Sequence, residues 1–228
     1  MQNKTLLFLF ICLLMATSSS VFAQKGFEFG AQVMPQLTLI VNDDDFAAGD
    51  ELNFRTTAHL AYGIHAAYNF NDHLGVQTGL LFSTQGQKYV NDEPTANTST
   101  SEIRMNYLKI PLLLKFNSNP EASAQFVATL GPQFGLLNKV DYYTNDEKLS
   151  VPNFDFKEWY NNMDLGAVLG LGARFRLTDN LQLGTSFRFD YSLGNIENED
   201  TILTPDRAPS HNATGGFMVD FTYHLGGN

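Results

Sequence analysis

The sequence predicts an all-β fold, an eight-stranded antiparallel up-and-down transmembrane β-barrel. Three observations predict it: apolar residues alternate with period two in eight successive segments, the joints between segments alternate long and short, and the chain opens with an export signal.

The export signal comes first. Lys4 precedes an apolar run from Leu6 to Ala16, followed by Thr17-Ser18-Ser19-Ser20 and the small-residue site Val21-Phe22-Ala23. An apolar run of 11 residues is too short for a helix that must cross about 30 Å of hydrocarbon at about 1.5 Å per residue. Residues 1–23 are therefore expected to be a signal peptide cleaved between Ala23 and Gln24, and residues 24–228 a single outer-membrane β-barrel domain. The only cysteine, Cys12, lies within the leader, so the mature chain can form no disulfide. A net charge of -10 argues against nucleic acid as a partner, because phosphate binding needs clustered Lys and Arg.

The eight segments follow in order. The first carries Phe27, Phe29, Ala31 and Val33, and the second Ala58, Leu60, Tyr62, Ile64, Ala66, Tyr68 and Phe70. The third has Leu74, Val76, Thr78, Leu80 and Phe82, the fourth Leu108, Ile110, Leu112, Leu114 and Phe116. Phe126, Ala128, Leu130, Pro132, Phe134 and Leu136 form the fifth, and Leu165, Ala167, Leu169, Leu171, Ala173, Phe175 and Leu177 the sixth. The last two are Leu181, Leu183, Thr185, Phe187, Phe189 and Tyr191, then Phe217, Val219, Phe221, Tyr223 and Leu225. No position in this phase is charged, although charged residues make up 17% of the chain.

The opposite phase mixes charge with glycine. It holds Glu28, Lys109, Lys115, Asp164, Arg174, Arg176, Arg188, Asp190 and Asp220, interleaved with glycines such as Gly131, Gly166, Gly170, Gly172 and Gly184. A soluble barrel would turn this phase to water, where glycine in a strand gains nothing. A membrane barrel turns it into a narrow lumen, where small residues leave room for a neighbour's Arg or Lys. The second arrangement fits both residue types.

Connection lengths agree. The joints at Asn71 to His73, Asn117 to Ser123 and Thr178 to Asn180 are short, while those at Val41 to Arg55, Gln87 to Ser101, Asn138 to Tyr160 and Asn195 to Ser210 are long. Outer-membrane barrels pair short periplasmic turns with long extracellular loops in this way, with both chain ends in the periplasm. Pro111 and Pro132 lie inside strands and each removes a ladder hydrogen bond, which predicts a bulge or bend at each.

The run Tyr107-Leu108-Lys109-Ile110-Pro111-Leu112-Leu113-Leu114-Lys115 resembles the signature strand of the PorT-like outer-membrane β-barrel family. Leu130-Gly131-Pro132, Asp164 with Gly166, Gly170 and Gly172, and Leu193-Gly194-Asn195-Ile196 at the end of the seventh strand extend the resemblance over the mature chain. It implies a small outer-membrane barrel in contact with lipid and lipopolysaccharide and assembled by the barrel insertion machinery. It supplies no catalytic residues. Such barrels usually finish on an aromatic residue, whereas this sequence runs on to Gly226-Gly227-Asn228.

The nine lumen-phase charges divide into four acids and five cations. Near balance suits a self-neutralising filling, since unpaired buried charge is costly; a selectivity lining or proton path is the alternative. His59 and His65 are six residues apart on one strand, about 20 Å, and cannot share a metal. Acidic residues concentrate in the loops, as in Asn42-Asp43-Asp44-Asp45, without the spaced ligands and glycine of a calcium loop. No G-x-S-x-G is present and Ser210-His211 is an isolated pair. The expectation is therefore a barrel without enzymatic activity, cofactor or metal, with a structural or interaction role towards a surface or periplasmic protein. A narrow pore or small-ligand transporter is the alternative, and a soluble lipocalin-like carrier a third reading.

Cleavage after Ala23 leaves Gln24 as the new N-terminus. Intact-mass measurement of the mature protein should match residues 24–228, and a mass that retains the leader would contradict the export argument.

Overall fold

A computed structural model describes residues 26–48, 53–91, 99–118, 122–201 and 207–225. The proposed leader, its cleavage site at Ala23 and Gln24, and the three C-terminal residues lie outside these. Eight long strands form the ring: β1 (Gly26–Val41), β3 (Thr57–Asn69), β4 (Leu74–Asn91), β5 (Ser99–Asn117), β6 (Ala124–Thr144), β8 (Met163–Arg176), β9 (Leu181–Ser192) and β10 (His211–Leu225). Two short strands, β2 (Asn53–Arg55) and β7 (Glu147–Lys148), pair with β4 and β6 outside the ring. A five-residue helix α1 (Asp43–Ala47) and a 3-10 turn at Phe156–Trp159 sit in the long connections. Among the described residues no helix is long and apolar enough to cross a membrane.

Every neighbouring pair in the ring is antiparallel, and β1 with β10 and β4 with β5 complete the closure. Stepping round by register partners runs from Phe27 to Tyr68, Val76, Leu114, Leu130, Leu169, Phe189, Gly215 and back to Leu37. The path returns ten residues farther along β1 than it began. Eight strands with that offset tilt about 40° from the axis and close at a backbone radius of about 8 Å.

The two phases separate as the sequence requires. Phe29, Ile64, Leu112, Leu114, Leu130, Phe187, Phe217 and Phe221 are exposed outside, while Glu28, Gln77, Lys109, Lys115, Arg174, Arg188 and Asp190 are buried inside. From Leu60 to Phe70 the outward residues of β3 and its following turn are apolar or small, a rise of about 25 Å at this tilt, which matches the apolar band of outer-membrane barrels. Aromatic rings gather at the lower edge of the band, where Phe27 meets Tyr68 with centroids 4.9 Å apart and Tyr68 meets Phe70 at 5.6 Å.

The prolines behave differently from expectation. The β5–β6 ladder skips the rungs at Leu112 and Leu113 but keeps one register from Tyr107 to Asn117, so neither Pro111 nor Pro132 shifts it. Pro132 faces out and Pro111 in, and the missing rungs beside them accommodate the lost donors. The shift lies higher, where Asn106 pairs Lys139 and Tyr107 pairs Leu137, leaving Asn138 as the extra residue of a bulge. The bulge reverses the facing of β6 above it, turning Val140 inward. A second departure concerns Leu193-Gly194-Asn195-Ile196: β9 ends at Ser192, and this stretch crosses the rim as loop.

Leu114 is 66% exposed. On a lipid face Leu114→Arg should lower stability by about 2 to 4 kcal/mol, measured by urea titration of the barrel refolded in lipid vesicles. A change within about 0.5 kcal/mol, as for a water-facing position, would contradict the membrane assignment.

Candidate functional site

The lumen is filled by side chains. Near the periplasmic end Glu28, buried on β1, accepts hydrogen bonds from Lys115 Nζ, from Arg174 Nη1 at 2.8 Å and from Asn69 Nδ2 at 2.6 Å, with His224 Nδ1 3.6 Å away. Arg174 Nη2 also lies 4.0 Å from Asp220, which accepts from Thr222 Oγ1 at 2.7 Å. This layer brings four side chains from β1, β5, β8 and β10 together with charges that cancel.

Higher up, the sector of β10, β1, β3 and β4 is apolar. Met34, Ala61, Leu81 and Met218 form a buried cluster, and Leu113 and Val168 are each 1% exposed. These residues occupy the lumen phase, where alternation alone predicts polar groups or glycine. Their isolation between polar neighbours on each strand hides them from a period-two reading.

A second polar cluster stands beside these residues, since Leu81 pairs Lys109 and Val168 pairs Asp190 across the rungs. Asp190 accepts from Lys109 Nζ at 3.0 Å, Arg188 Nε at 2.8 Å and Gln133 Nε2 at 3.3 Å, while Arg188 Nη2 also bonds Gln133 Oε1. Asp164 stands apart, taking a hydrogen bond from Ser192 Oγ at 2.5 Å. Arg176, the last residue of β8, is exposed at the periplasmic rim. Seven of the nine charges thus form two clusters, while Asp164 bonds Ser192 and Arg176 stands at the rim.

Glycines make room for this packing. Gly63 approaches its neighbour so closely that a Cβ would stand 1.9 Å from the carbonyl oxygen of Leu80. Gly86 has φ of 148°, a conformation L side chains rarely adopt, and its carbonyl accepts from the Thr38 and Thr57 hydroxyls at 2.8 and 3.1 Å. Of the resemblance motif, Tyr107 and Lys109 point inward and are buried, Leu108 and Ile110 face outward and are partly covered, Gly166 and Gly170 are buried and Gly131 and Gly172 half-buried in the wall, and Gly194 is exposed in loop.

The extracellular end is capped. Ile40, Met105, Tyr107, Leu137, Val140, Phe156, Tyr160 and Ile196 form an apolar cluster over the lumen. Arg207 fastens the loops around it, bonding Glu197 through Nε at 2.8 Å and Asp45 of α1 through Nη2 at 2.9 Å. Its hydrogen bonds to Glu197 raise the guanidinium pKa further. Tyr89 OH donates to Asp45 at 2.8 Å, and Asn42 Nδ2 donates to Ala208 O at 2.7 Å and Ser210 Oγ at 2.9 Å. Asn161 Nδ2 bonds the carbonyls of Asn195 and Glu197, both at 2.9 Å, tying the third long loop to the fourth. Leu149, Val151, Phe154 and Trp159 remain exposed on the outer side of this crown. Among the described residues no cluster of His, Cys, Asp and Glu has the grouping of a metal site.

The closed ring with its apolar exterior and filled lumen defines a small outer-membrane β-barrel. The sequence profile of the outer membrane protein beta-barrel domain matches residues 22–198, and the chain belongs to that family and is located in the outer membrane. Its surroundings are accordingly outer-membrane lipid and lipopolysaccharide. A soluble carrier is set aside by the same findings. Among solved structures, Neisserial surface protein A is 12% identical with a TM-score of 0.49, covering 88% of this chain and 97% of that one. OprG from Pseudomonas aeruginosa is 14% identical at 0.48, covering 91% and 100%, and outer membrane protein W of E. coli is 13% identical at 0.46, covering 88% and 99%. No curated protein matches the sequence.

Glu28→Ala removes the acceptor shared by Lys115 and Arg174 and leaves two buried cations facing each other. A loss of about 3 to 5 kcal/mol is expected in urea titration of the refolded barrel. A loss below about 1 kcal/mol would show that water, and not Glu28, neutralises this layer.

Proposed function

We propose that the protein is a non-enzymatic outer-membrane barrel whose extracellular crown serves a structural or interaction role. The observation that carries this reading is the contrast between the two ends of the molecule's polar chemistry. Inside, seven charges pair within two clusters packed among side chains with almost no exposure. Outside, three long loops are fastened by Arg207, Asn42 and Asn161 into one shaped surface that carries an uncovered apolar patch. Fixed loops with exposed apolar side chains are what a protein-contact surface needs.

A finer assignment to the PorT-like group rests on the Tyr107–Lys115 strand and the glycine pattern of β8, with the insertion machinery as an assembly partner and a surface or periplasmic protein as the functional one. Transport is disfavoured by the same lumen packing, because eight strands enclose room for side chains and little more.

Planar-bilayer recording of the purified barrel tests this. The expected result is no steady conductance above the bare membrane. Large, persistent openings from the unmodified protein would overturn the filled-lumen reading in favour of transport.

A further inference from the structure

Above the membrane the barrel is taller on one side. β4, β5 and β6 continue past the apolar band, flanked by β2 and β7, as a five-stranded sheet standing on the ring. Register places Arg55, Lys88, Glu102, Tyr143 and Lys148 in one cross-strand row, Gly86, Arg104 and Asp141 in the next, and Thr84, Asn106 and Lys139 in the third. The side chains of these three rows share the outward face. Five of the 14 Lys and Arg residues of the whole sequence therefore occupy one face of a protein whose net charge is -10.

Four of these cations share three acids. Glu102 is a bidentate acceptor for Arg104, which uses two of the five guanidinium donors. Asp141 is shared by Lys139 and Lys148 at 2.9 and 2.7 Å, and Asp146 holds Lys88 at 2.9 Å. Directly below the third row the wall turns apolar at Phe82 and Leu108. There a groove of about 210 Å³ is lined by Leu60, Tyr62, Phe82 and Leu108 together with Thr84, Asn106 and Asn138. The Asn138 bulge forms part of its lining, and Thr84 Oγ1 donates to Asn106 Oδ1 at 2.7 Å on its polar side.

We propose that this groove and the cationic face above it bind a phosphorylated, acylated glycolipid of the outer leaflet, with an acyl chain along Leu60, Tyr62, Phe82 and Leu108 and a phosphate held by Arg104 and Lys139. The inference rests on the membrane placement and not on the role of the crown. Three features agree on the occupant. The apolar wall faces hydrocarbon, the polar side chains sit at the hydrocarbon edge, and the cations lie about 5 to 10 Å above that edge, where a lipid's phosphates are. Arginine is suited to phosphate because its planar fork donates bidentately.

Native mass spectrometry of the detergent-purified barrel with diphosphoryl lipid A is the test, using phosphatidylglycerol and inorganic phosphate as alternative probes. One lipid A should be retained per barrel, with retention lowered at least tenfold by combined Arg104→Glu and Lys139→Glu and left unchanged by Lys157→Glu on the far loop. Lys139→Glu alone, at a side chain 55% exposed, keeps the test open if the double variant fails to assemble, and it should lower retention measurably. Equal retention by these variants would overturn the site. Equal retention of phosphatidylglycerol would overturn the glycolipid assignment, displacement by inorganic phosphate would reduce the site to a free-anion one, and lipid-free dimers would make the face an interface between copies. Failure of the membrane placement itself would appear separately, as a barrel that stays soluble without detergent.

Discussion

The constraint on which the structure depends is ring closure. Eight strands offset by ten residues per circuit fix a backbone radius of about 8 Å, so every inward side chain meets others from across the ring. An interior of that width has no room for bulk water to screen charge. Each cation there must find an acid, and each large side chain needs a small residue opposite. The Glu28 cluster, the Asp190 cluster and the apolar residues packed beside the latter are one solution to that packing problem. Gly63 and Gly86, where a Cβ would collide with a neighbouring carbonyl, are where its tightness is most visible.

The same closure pushes function outward. A wall that is lipid on one side and filled on the other leaves the two rims and the strand extensions as the surfaces free to recognise anything. The chain invests in the extracellular rim. Asn42 caps α1 and holds Ser210, Arg207 bridges Asp45 and Glu197, and Tyr142 bonds Tyr160 beneath them at 2.5 Å. Loops anchored at this many points keep a defined shape, whereas four free loops of this length would sample many. The bulge at Asn138 connects the two designs. By inserting one residue it turns Val140 into the cap over the lumen and leaves Lys139 on the outer face with Arg104.

Strand number, facing and the sidedness of the loops were legible in the sequence because a period of two carries them directly, and an alternation sustained from Leu74 to Phe82 or Leu108 to Phe116 has one geometric reading. The identities of most charged lumen residues were legible too, but not their pairing. Which acid meets which cation depends on the offset around the ring, and sequence spacing does not encode it. Glu28 finds Arg174, 146 residues away, while Asp164, on the same strand as Arg174, bonds Ser192 instead. No bulge forms at Pro111 or Pro132, because a lost donor interrupts a ladder without moving its register. Met34, Leu81 and Met218 were missed because isolated apolar residues in a polar phase leave no periodic trace. The cationic face was invisible for a related reason: Arg55, Lys88, Arg104, Lys139 and Lys148 are spread over five strands and meet only across rungs.

The middle of the barrel is packed solid with side chains. Because the only cysteine lies in the leader, a chain beginning at Gln24 offers a thiol-free background for testing it. Val168→Cys, at a position 1% exposed in the lumen, can be compared with Leu149→Cys on the exposed loop using a small charged thiol reagent. Rapid modification is expected at position 149 and none at position 168 until the barrel is unfolded. Modification of both at similar rates in the folded protein would mean that water and ions reach the middle of the lumen, and would contradict it.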